Sequence, residues 1–274
     1  MKTFDGILIC TDLDGTLLKN DKTVSRENLD AIEYFKSQGG YFTFITGRPP
    51  VVARQICETI APNAPIGCIN GGGLYDHATG EYLWYTELDR SVIELLDDVC
   101  ESIDDIGFQV NTFGPIYFCR ENSAMEHFRT LTGYTGLKAQ PRDVREPFAK
   151  IVFGSTDETK IDTLATFLAA HPRADEFDFI RSEKTLYEIL PKGINKGSVL
   201  PKLVKHLGIE STGTVAIGDY DNDVGMLRAA HVGIAVSNAS PAAIAAADLI
   251  TVSNEEHAIA KVISDIENGI ITLR

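Results

Sequence analysis

The sequence has no uninterrupted apolar run of the roughly 18 residues that a membrane helix needs. Asp5 also breaks up the start of the chain, so neither a membrane span nor a signal peptide is expected. There is no Cys-x-x-Cys. The cysteines number five (Cys10, Cys57, Cys68, Cys100, Cys119), and Cys10, Cys68 and Cys119 lie in apolar or aromatic stretches. They read as small buried hydrophobes of a reducing, cytoplasmic setting rather than as a disulfide framework. The six histidines show no ligand spacing either, which argues against zinc. Positive charge is scarce: 25 Lys and Arg face 39 Asp and Glu, a net charge of -14. Such a surface repels nucleic acid and anionic lipid. It does not exclude a small anionic ligand, because a metal ion or a few basic groups reverse the field locally. No Gly-x-Gly-x-x-Gly follows the first apolar stretch and no P-loop is present, which removes the dinucleotide-binding and P-loop readings. Internal repeats and low-complexity linkers are also missing.

What is there, in 274 residues of which 44% are hydrophobic, suffices for one large or two ordinary domains. The N-terminal part alternates strand and helix patterns. Residues 6–11 read as a buried strand, 25–37 as an amphipathic helix stopped by Gly39-Gly40, and 41–45 as a second strand. Pro49-Pro50 opens a helix to Ile60, and 66–69 form a further short strand. This alternation argues for a doubly wound parallel sheet, Rossmann-like, with both faces covered. The middle differs. Hairpin patterns around Phe113-Gly114-Pro115 and across 177–190 are separated by helical patterns at 122–131 and 157–170, as in an antiparallel α+β unit. After Pro191 the first pattern returns, with helices expected over 196–207, 223–230, 242–247 and 255–266. The expected organisation is an α/β core of residues 1–82 and 191–274, split by an inserted α+β domain at 83–190.

The acids are distributed tellingly. "ILICTDLDGT" ends a buried strand with Asp12 and Asp14, two apart and therefore on one side. "TVAIGDYDND" ends another with Asp219, followed by Asp221 and Asp223. In parallel α/β sheets ligands bind beyond the carboxyl ends of the strands, so both strand ends can serve one crevice. Carboxylates gathered there repel one another unless a hard cation such as Mg²⁺ joins them. "FITGR" places Thr46, Gly47 and Arg48 at a strand-to-helix turn of the kind that approaches phosphate oxygens. "INKGS" places Lys196 at a helix start, against the helix dipole, which hints at a task elsewhere. Asn222 is a further candidate donor to phosphate. Apart from "GDYDND", whose three acids in five residues are hard to explain as structure, each stretch alone also reads as an ordinary turn or a solvated surface; the combination carries the argument.

"DLDGT", "TGR", "KG" (Lys196-Gly197) and "GDYDND" come in the order of the haloacid dehalogenase-like superfamily, and the chain resembles its Cof-type hydrolases. "INGG", Ile69 to Gly72, resembles that family's Asn-Gly loop through Asn70. Two stretches depart from the pattern: Ser237 stands where a glycine is usual, and Asn195 where a smaller residue is common. The resemblance implies a core with an inserted cap of the larger α/β type and a Mg²⁺-dependent phosphatase acting on small phosphorylated metabolites, sugar phosphates above all. It implies Asp12 as nucleophile, forming an aspartyl-phosphate. Asp14 would protonate the leaving oxygen and then activate water, a role for which its pKa should be raised. Metal would be held by Asp12, the carbonyl of Asp14, and Asp219. Thr46, Gly47, Lys196 and Asn222 would hold the phosphoryl oxygens, with Arg48, Asn70 and Asp223 in support, Asp223 orienting Lys196 or a metal-bound water. A sugar phosphomutase uses the same aspartyl-phosphate, and a receiver-type signalling module shares the Asp, Thr and Lys but needs neither Asp14 nor an insert. Arg120, Arg181 and the Phe113 turn are candidates for substrate choice. Neither nucleic acid nor membrane is expected as partner; the assembly would be a monomer or a small homo-oligomer.

Overall fold

The computed structural model describes residues 3–273. The chain divides into two compact units, one running to Trp84 and resuming at Asn195, the other spanning Tyr85–Ile194. In chain order it forms β1 (Leu8–Thr11), α1 (Arg26–Ser37), β2 (Tyr41–Phe44), α2 (Pro50–Ile60), β3 (Ile66–Cys68), β4 (Gly73–Asp76) and β5 (Glu81–Tyr85). The second unit supplies α3 (Val92–Ser102), β6 (Gly107–Thr112), β7 (Ile116–Arg120), α4 (Ser123–Thr132), β8 (Leu137–Lys138), β9 (Phe148–Gly154), α5 (Glu158–Ala170), β10 (Phe177–Glu183) and β11 (Leu186–Pro191). Back in the first come α6 (Leu200–Leu207), β12 (Thr214–Gly218), α7 (Val224–Ala229), β13 (Val232–Ala235), α8 (Pro241–Ala246), β14 (Leu249–Ile250) and α9 (Ala258–Glu267).

The first unit is built on a five-stranded parallel sheet of order β14-β13-β12-β1-β2. Alternation along β1 sends Ile9 to one face and Leu8 and Cys10 to the other, and all three are fully buried. On the Ile9 side lie Ile32 and Phe35 of α1, Ala53 and Ile60 of α2, and Val262 of α9. On the other lie Leu203 of α6, Met226 and Leu227 of α7, and Ala243 of α8. Helices on both faces leave only the strand ends for ligand chemistry, and β1, the site-bearing strand, is flanked by β12 and β2. Ser25 starts α1 by accepting a hydrogen bond from the Asn28 amide.

Two helices start later than the sequence pattern suggests. Lys196–Val199 form a tight turn and α6 begins at Leu200, because Pro201 has no N–H to donate back into that turn. Asn254–Glu256 form another turn, and His257 at φ +61° separates it from α9.

The second unit is a six-stranded sheet, β10-β11-β9-β6-β7-β8, antiparallel except where β7 meets β8 in parallel. One face packs Phe108, Val110, Ile151, Phe153 and Ile189 against α3 and α5. The other buries polar groups among apolar ones such as Val152, Phe118 and Ile116. Lys150 donates to Glu188 at 2.6 Å, with both side chains 4% exposed, in the same rows as Gln109 and Asn111. Such a pair adds little net stability, but removing one partner alone costs about 3–5 kcal/mol. The strand pattern at 149–154 does not announce it, since the acid lies 38 residues away. Of the cysteines, Cys10, Cys57 and Cys68 are buried as expected, whereas Cys119 is half-buried and Cys100 exposed; all five are free thiols. Among the described residues, no helix is long and apolar enough to cross a membrane.

Candidate active site

Parallel register brings the three site-bearing strand ends side by side. Thr11 of β1 stands opposite Phe44 of β2 and Ile217 of β12, so the residues that follow each strand emerge together. The Asp12 amide donates to the Ile217 carbonyl at 2.9 Å, and the Ile45 amide donates to the Thr11 carbonyl at 2.9 Å. Asp12, Thr46 and Asp219 are thereby delivered to the carboxyl-terminal end of the sheet.

Asp12 and Lys196 form the buried heart of the site. Lys196 Nζ donates at 2.6 Å to Asp12 Oδ1 and at 2.6 Å to Asp223 Oδ1, and only 1% of Lys196 is exposed. It is no surface lysine; its position against the helix dipole is explained by the two carboxylates it joins. Burial alone would lower its pKa, but the charges of Asp12 and Asp223 outweigh that and hold it raised, so it stays protonated. The turn it opens is fixed by Asn195, whose side chain accepts from the Gly197 amide at 2.9 Å while Ser198 Oγ accepts from the Asn195 amide at 3.1 Å. The departure at Asn195 is thus a cap for the lysine's own turn.

Asp12, Asp219 and Asp223 each place a carboxylate oxygen within 4.8 Å of the others. Asp223 is already committed: Oδ1 takes Lys196, and Oδ2 accepts from the amides of Asp219 and Tyr220 at 2.8 and 3.0 Å. Its contacts tie the lysine to the strand end. Asp219 is less tied, accepting at Oδ1 from Thr16 Oγ1 at 2.7 Å. Burial, with the Asp223 charge, pushes Asp219 up to about 7, and burial with both neighbouring acids pushes Asp12 up despite Lys196. Oxygen donors that resist ionising side by side suit a hard divalent cation, so the cluster can hold a metal ion. Gly15 makes room for the arrangement: at φ +81° its place could not carry a side chain, since a Cβ would lie 2.4 Å from Asp219 Oδ2.

Asp14 is not part of this cluster. Arg48 grips its carboxylate through Nε to Oδ2 at 3.0 Å and Nη2 to Oδ1 at 2.8 Å, and Lys22 Nζ donates to Oδ1 at 2.8 Å. Burial would raise the Asp14 pKa, but the Arg48 charge and the bonds from Arg48 and Lys22 prevail and hold it below the ordinary carboxylate value. The expectation of a raised pKa is therefore corrected: two cations grip the acid and outweigh its burial. Lys22 was missed by the sequence reading, and nothing in its spacing marks it.

The remaining residues close the floor. Thr46 is 1% exposed, and its Oγ1 accepts from the Arg48 amide at 3.2 Å, leaving the hydroxyl hydrogen to donate. Gly47 faces Asn70, whose Oδ1 would lie 3.0 Å from a Cβ there. Asn70 donates its amide to the Thr46 carbonyl at 3.0 Å and accepts from Asn222 Nδ2 at 3.1 Å. Ile69 and Asn70 both adopt positive φ, +57° and +50°. For a β-branched isoleucine that is strained, at a cost of order 1–3 kcal/mol. The next residue, Gly71, packs so tightly that a Cβ would fall 1.9 Å from the Asn195 carbonyl oxygen. Ser237 is exposed and has no positive φ, so no glycine is needed there, while Asn238 Nδ2 donates to the Gly15 carbonyl at 2.9 Å. Arg120 donates to the Ile103 carbonyl, and Arg181 to Asp162 and the Lys184 carbonyl, so both serve the second unit's own structure.

Asp219 makes the metal-stripped protein pH-sensitive. Its pKa is raised from 3.8 to about 7 on folding, so the contribution of its protonated form is full below the ordinary carboxylate pKa and lost as pH climbs through about 7. Chelator-treated protein should lose stability between those limits. Asp219→Asn should flatten the profile and stabilise that protein at pH 8 by about 1–3 kcal/mol. Urea unfolding across pH reads both effects, and identical slopes for the two proteins would show that Asp219 is not perturbed.

The family model described as haloacid dehalogenase-like hydrolase matches residues 9–263, and the chain belongs to that family of enzymes. It is similar to the 5-amino-6-(5-phospho-D-ribitylamino)uracil phosphatase YitU of Bacillus subtilis, 28% identical over 265 residues that cover 94% of this chain and 96% of YitU. Among solved structures, a haloacid dehalogenase-like hydrolase from Bacteroides thetaiotaomicron superposes with TM-score 0.80 at 25% identity, covering 95% of this chain and 99% of that one. The subclass IIB sugar phosphatase BT4131 shares the fold, with TM-score 0.81 at 20% identity over 97% of this chain and 100% of its own.

Proposed function

We propose that the protein is a Mg²⁺-dependent phosphatase that hydrolyses small phosphorylated metabolites, sugar phosphates and related esters, through an aspartyl-phosphate on Asp12. The observation that carries this reading is the buried Asp12 carboxylate held at 2.6 Å by Lys196 beside Asp219 and Asp223. The phosphatase names of its relatives support it. In the first step an Asp12 oxygen attacks phosphorus, the P–O ester bond breaks, and the leaving oxygen takes a proton from Asp14, which can carry one only once Arg48 and Lys22 loosen their hold on its carboxylate. In the second, water attacks phosphorus, gives its proton to Asp14, and the acyl-phosphate P–O bond breaks to release inorganic phosphate and restore Asp12. Thr46, the Gly47 amide, Lys196 and Asn222 hold the phosphoryl oxygens. Asp12, Asp219 and the Asp14 carbonyl would hold Mg²⁺, which when bound neutralises charge between the nucleophile and its anionic target. Positioning and neutralisation have to supply roughly 20 kcal/mol or more, since uncatalysed phosphate monoester hydrolysis is among the slowest of reactions.

The second unit takes the part of the family's cap in this reading, and the free thiols accord with a cytoplasmic setting. The test is a phosphate-release screen over phosphorylated metabolites, with Mg²⁺ and with chelator. Continuous release that needs Mg²⁺ is the expected result. Isomer interconversion without net release would make the enzyme a mutase, and activity indifferent to chelator would remove the metal from the reading.

A further inference from the structure

The charges around the site are split. Asp12, Asp219 and Asp223 with Lys196 carry a formal charge of -2, three acids against one base, which suits a cation. Asp14 with Arg48 and Lys22 carries +1, one acid against two bases, in a chain whose net charge is -14. The surplus cation is therefore local and built against the prevailing sign.

Its construction is specific. Lys22 sits at φ +65°, a conformation that favours glycine, in a turn closed by its amide to the Lys19 carbonyl at 2.9 Å and by the Lys19 amide to the Thr23 carbonyl at 2.9 Å. Asp21 pins that turn by accepting from the Thr23 amide and hydroxyl at 3.0 and 2.6 Å. The lysine side chain, 55% exposed, reaches back eight residues to Asp14, while Arg48 is 26% exposed on the other flank. Solutes can therefore reach both cations. A carboxylate offers about four acceptor positions, and three of those on Asp14 are taken by these cations. One position is left for an ester oxygen, but a carboxyl that carries a proton to it no longer holds two cations well; they are then better served by another acceptor, and the group that arrives with that oxygen is the leaving portion of the substrate.

Resting on the phosphatase reading above, we infer that Lys22 and Arg48 form a second anion-binding station beside Asp14. The preferred substrates then carry a carboxylate or a second phosphate close to the phosphate ester that is cleaved. Binding such a group draws the cations off the acid and so frees it at the moment it is needed. A neutral leaving group offers no such exchange. Lys22 is thereby a specificity residue, acting on the part of the substrate that departs.

The test compares matched esters with Mg²⁺ present. 2-Phosphoglycerate and glycerol 2-phosphate differ by a carboxylate against a hydroxymethyl group on the carbon that bears the ester. Ethane-1,2-diol bisphosphate and 2-hydroxyethyl phosphate differ by a second phosphate on the adjacent carbon, with chemically equivalent esters. The wild type should favour the anionic member of at least one pair, and the pair it favours identifies the anion. Lys22→Gln should cut that preference by about tenfold or more, mainly through KM, the size expected for a lost hydrogen bond between charged groups. Lys22→Arg should retain most of it, Lys22→Glu should reverse it, and added salt should weaken it in the wild type because the lysine is half exposed. Equal kcat/KM for both members in the wild type would overturn the inference. So would an equal loss on both members in Lys22→Gln, which would mean that the lysine serves the phosphoryl group or merely positions Asp14. If no phosphate is released even from p-nitrophenyl phosphate, the phosphatase reading fails and takes the inference with it. Release from p-nitrophenyl phosphate with no discrimination within either pair removes the inference alone.

Discussion

Asp12→Asn should abolish phosphate release, with kcat falling by at least about four orders of magnitude, as loss of a covalent nucleophile does elsewhere. The substitution is nearly isosteric, and the amide oxygen can still accept from Lys196, so the local packing survives. What disappears is the anionic oxygen that bonds to phosphorus. In metal-stripped protein the variant should be no less stable than the wild type, because burial and the charges of Asp223 and Asp219 already disfavour ionised Asp12. Loss of activity without loss of stability separates a chemical role from a structural one. Phosphate release and a thermal melt on the same preparation check it, and a variant that kept full activity would remove Asp12 as nucleophile. Hydroxylamine trapping of the acyl-phosphate in the wild type, absent in the variant, would tie the loss to the covalent step.

Much of the site was legible because its parts sit at strand ends. A buried apolar run followed by acids reads the same in one dimension as in three; the strand order, which the pattern does not give, does the rest, since β1 lies between β12 and β2 and brings Asp12, Asp219 and Thr46 together. Lys196 was legible through a conflict, a cation at a helix start, and its two carboxylates resolve it. The unread parts depend on side chains reaching across the fold. Lys22 returns to Asp14 through a left-handed turn, and Thr16 bonds Asp219 across 203 residues. The polarity of Asp14's surroundings was misjudged for the same reason: Arg48 was read as support, whereas it lies on the acid itself. The buried Lys150–Glu188 pair is a further case, since strand periodicity reports which face a residue takes and not what awaits it there.

Lys196→Met should be the most destabilising single change in the site. Methionine matches the length of the aliphatic stem, so packing is largely kept and the effect isolates the charge. Asp12 and Asp223 are 6% and 0% exposed, and the ammonium at 2.6 Å from each is their shared counter-charge. Removing one partner of a buried ionic group costs about 3–5 kcal/mol. For a chain of this size that lowers Tm on the order of 10 °C. Activity should fall as well, since the same ammonium is proposed to hold phosphoryl oxygens. The structural and chemical parts can be pulled apart with Asp223→Asn. In the double variant one of the two stranded carboxylates is neutral, so part of the lost stability should return, and the two changes should be clearly non-additive. Activity should not return, because neutralising Asp223 restores no cation beside Asp12. Added Mg²⁺ should raise the Tm of Lys196→Met more than that of the wild type, a cation partly replacing a cation. If Lys196→Met melted with the wild type at neutral pH, the buried ammonium would not be the counter-charge that holds these acids together, and the arrangement proposed for attack on phosphorus would lose its foundation.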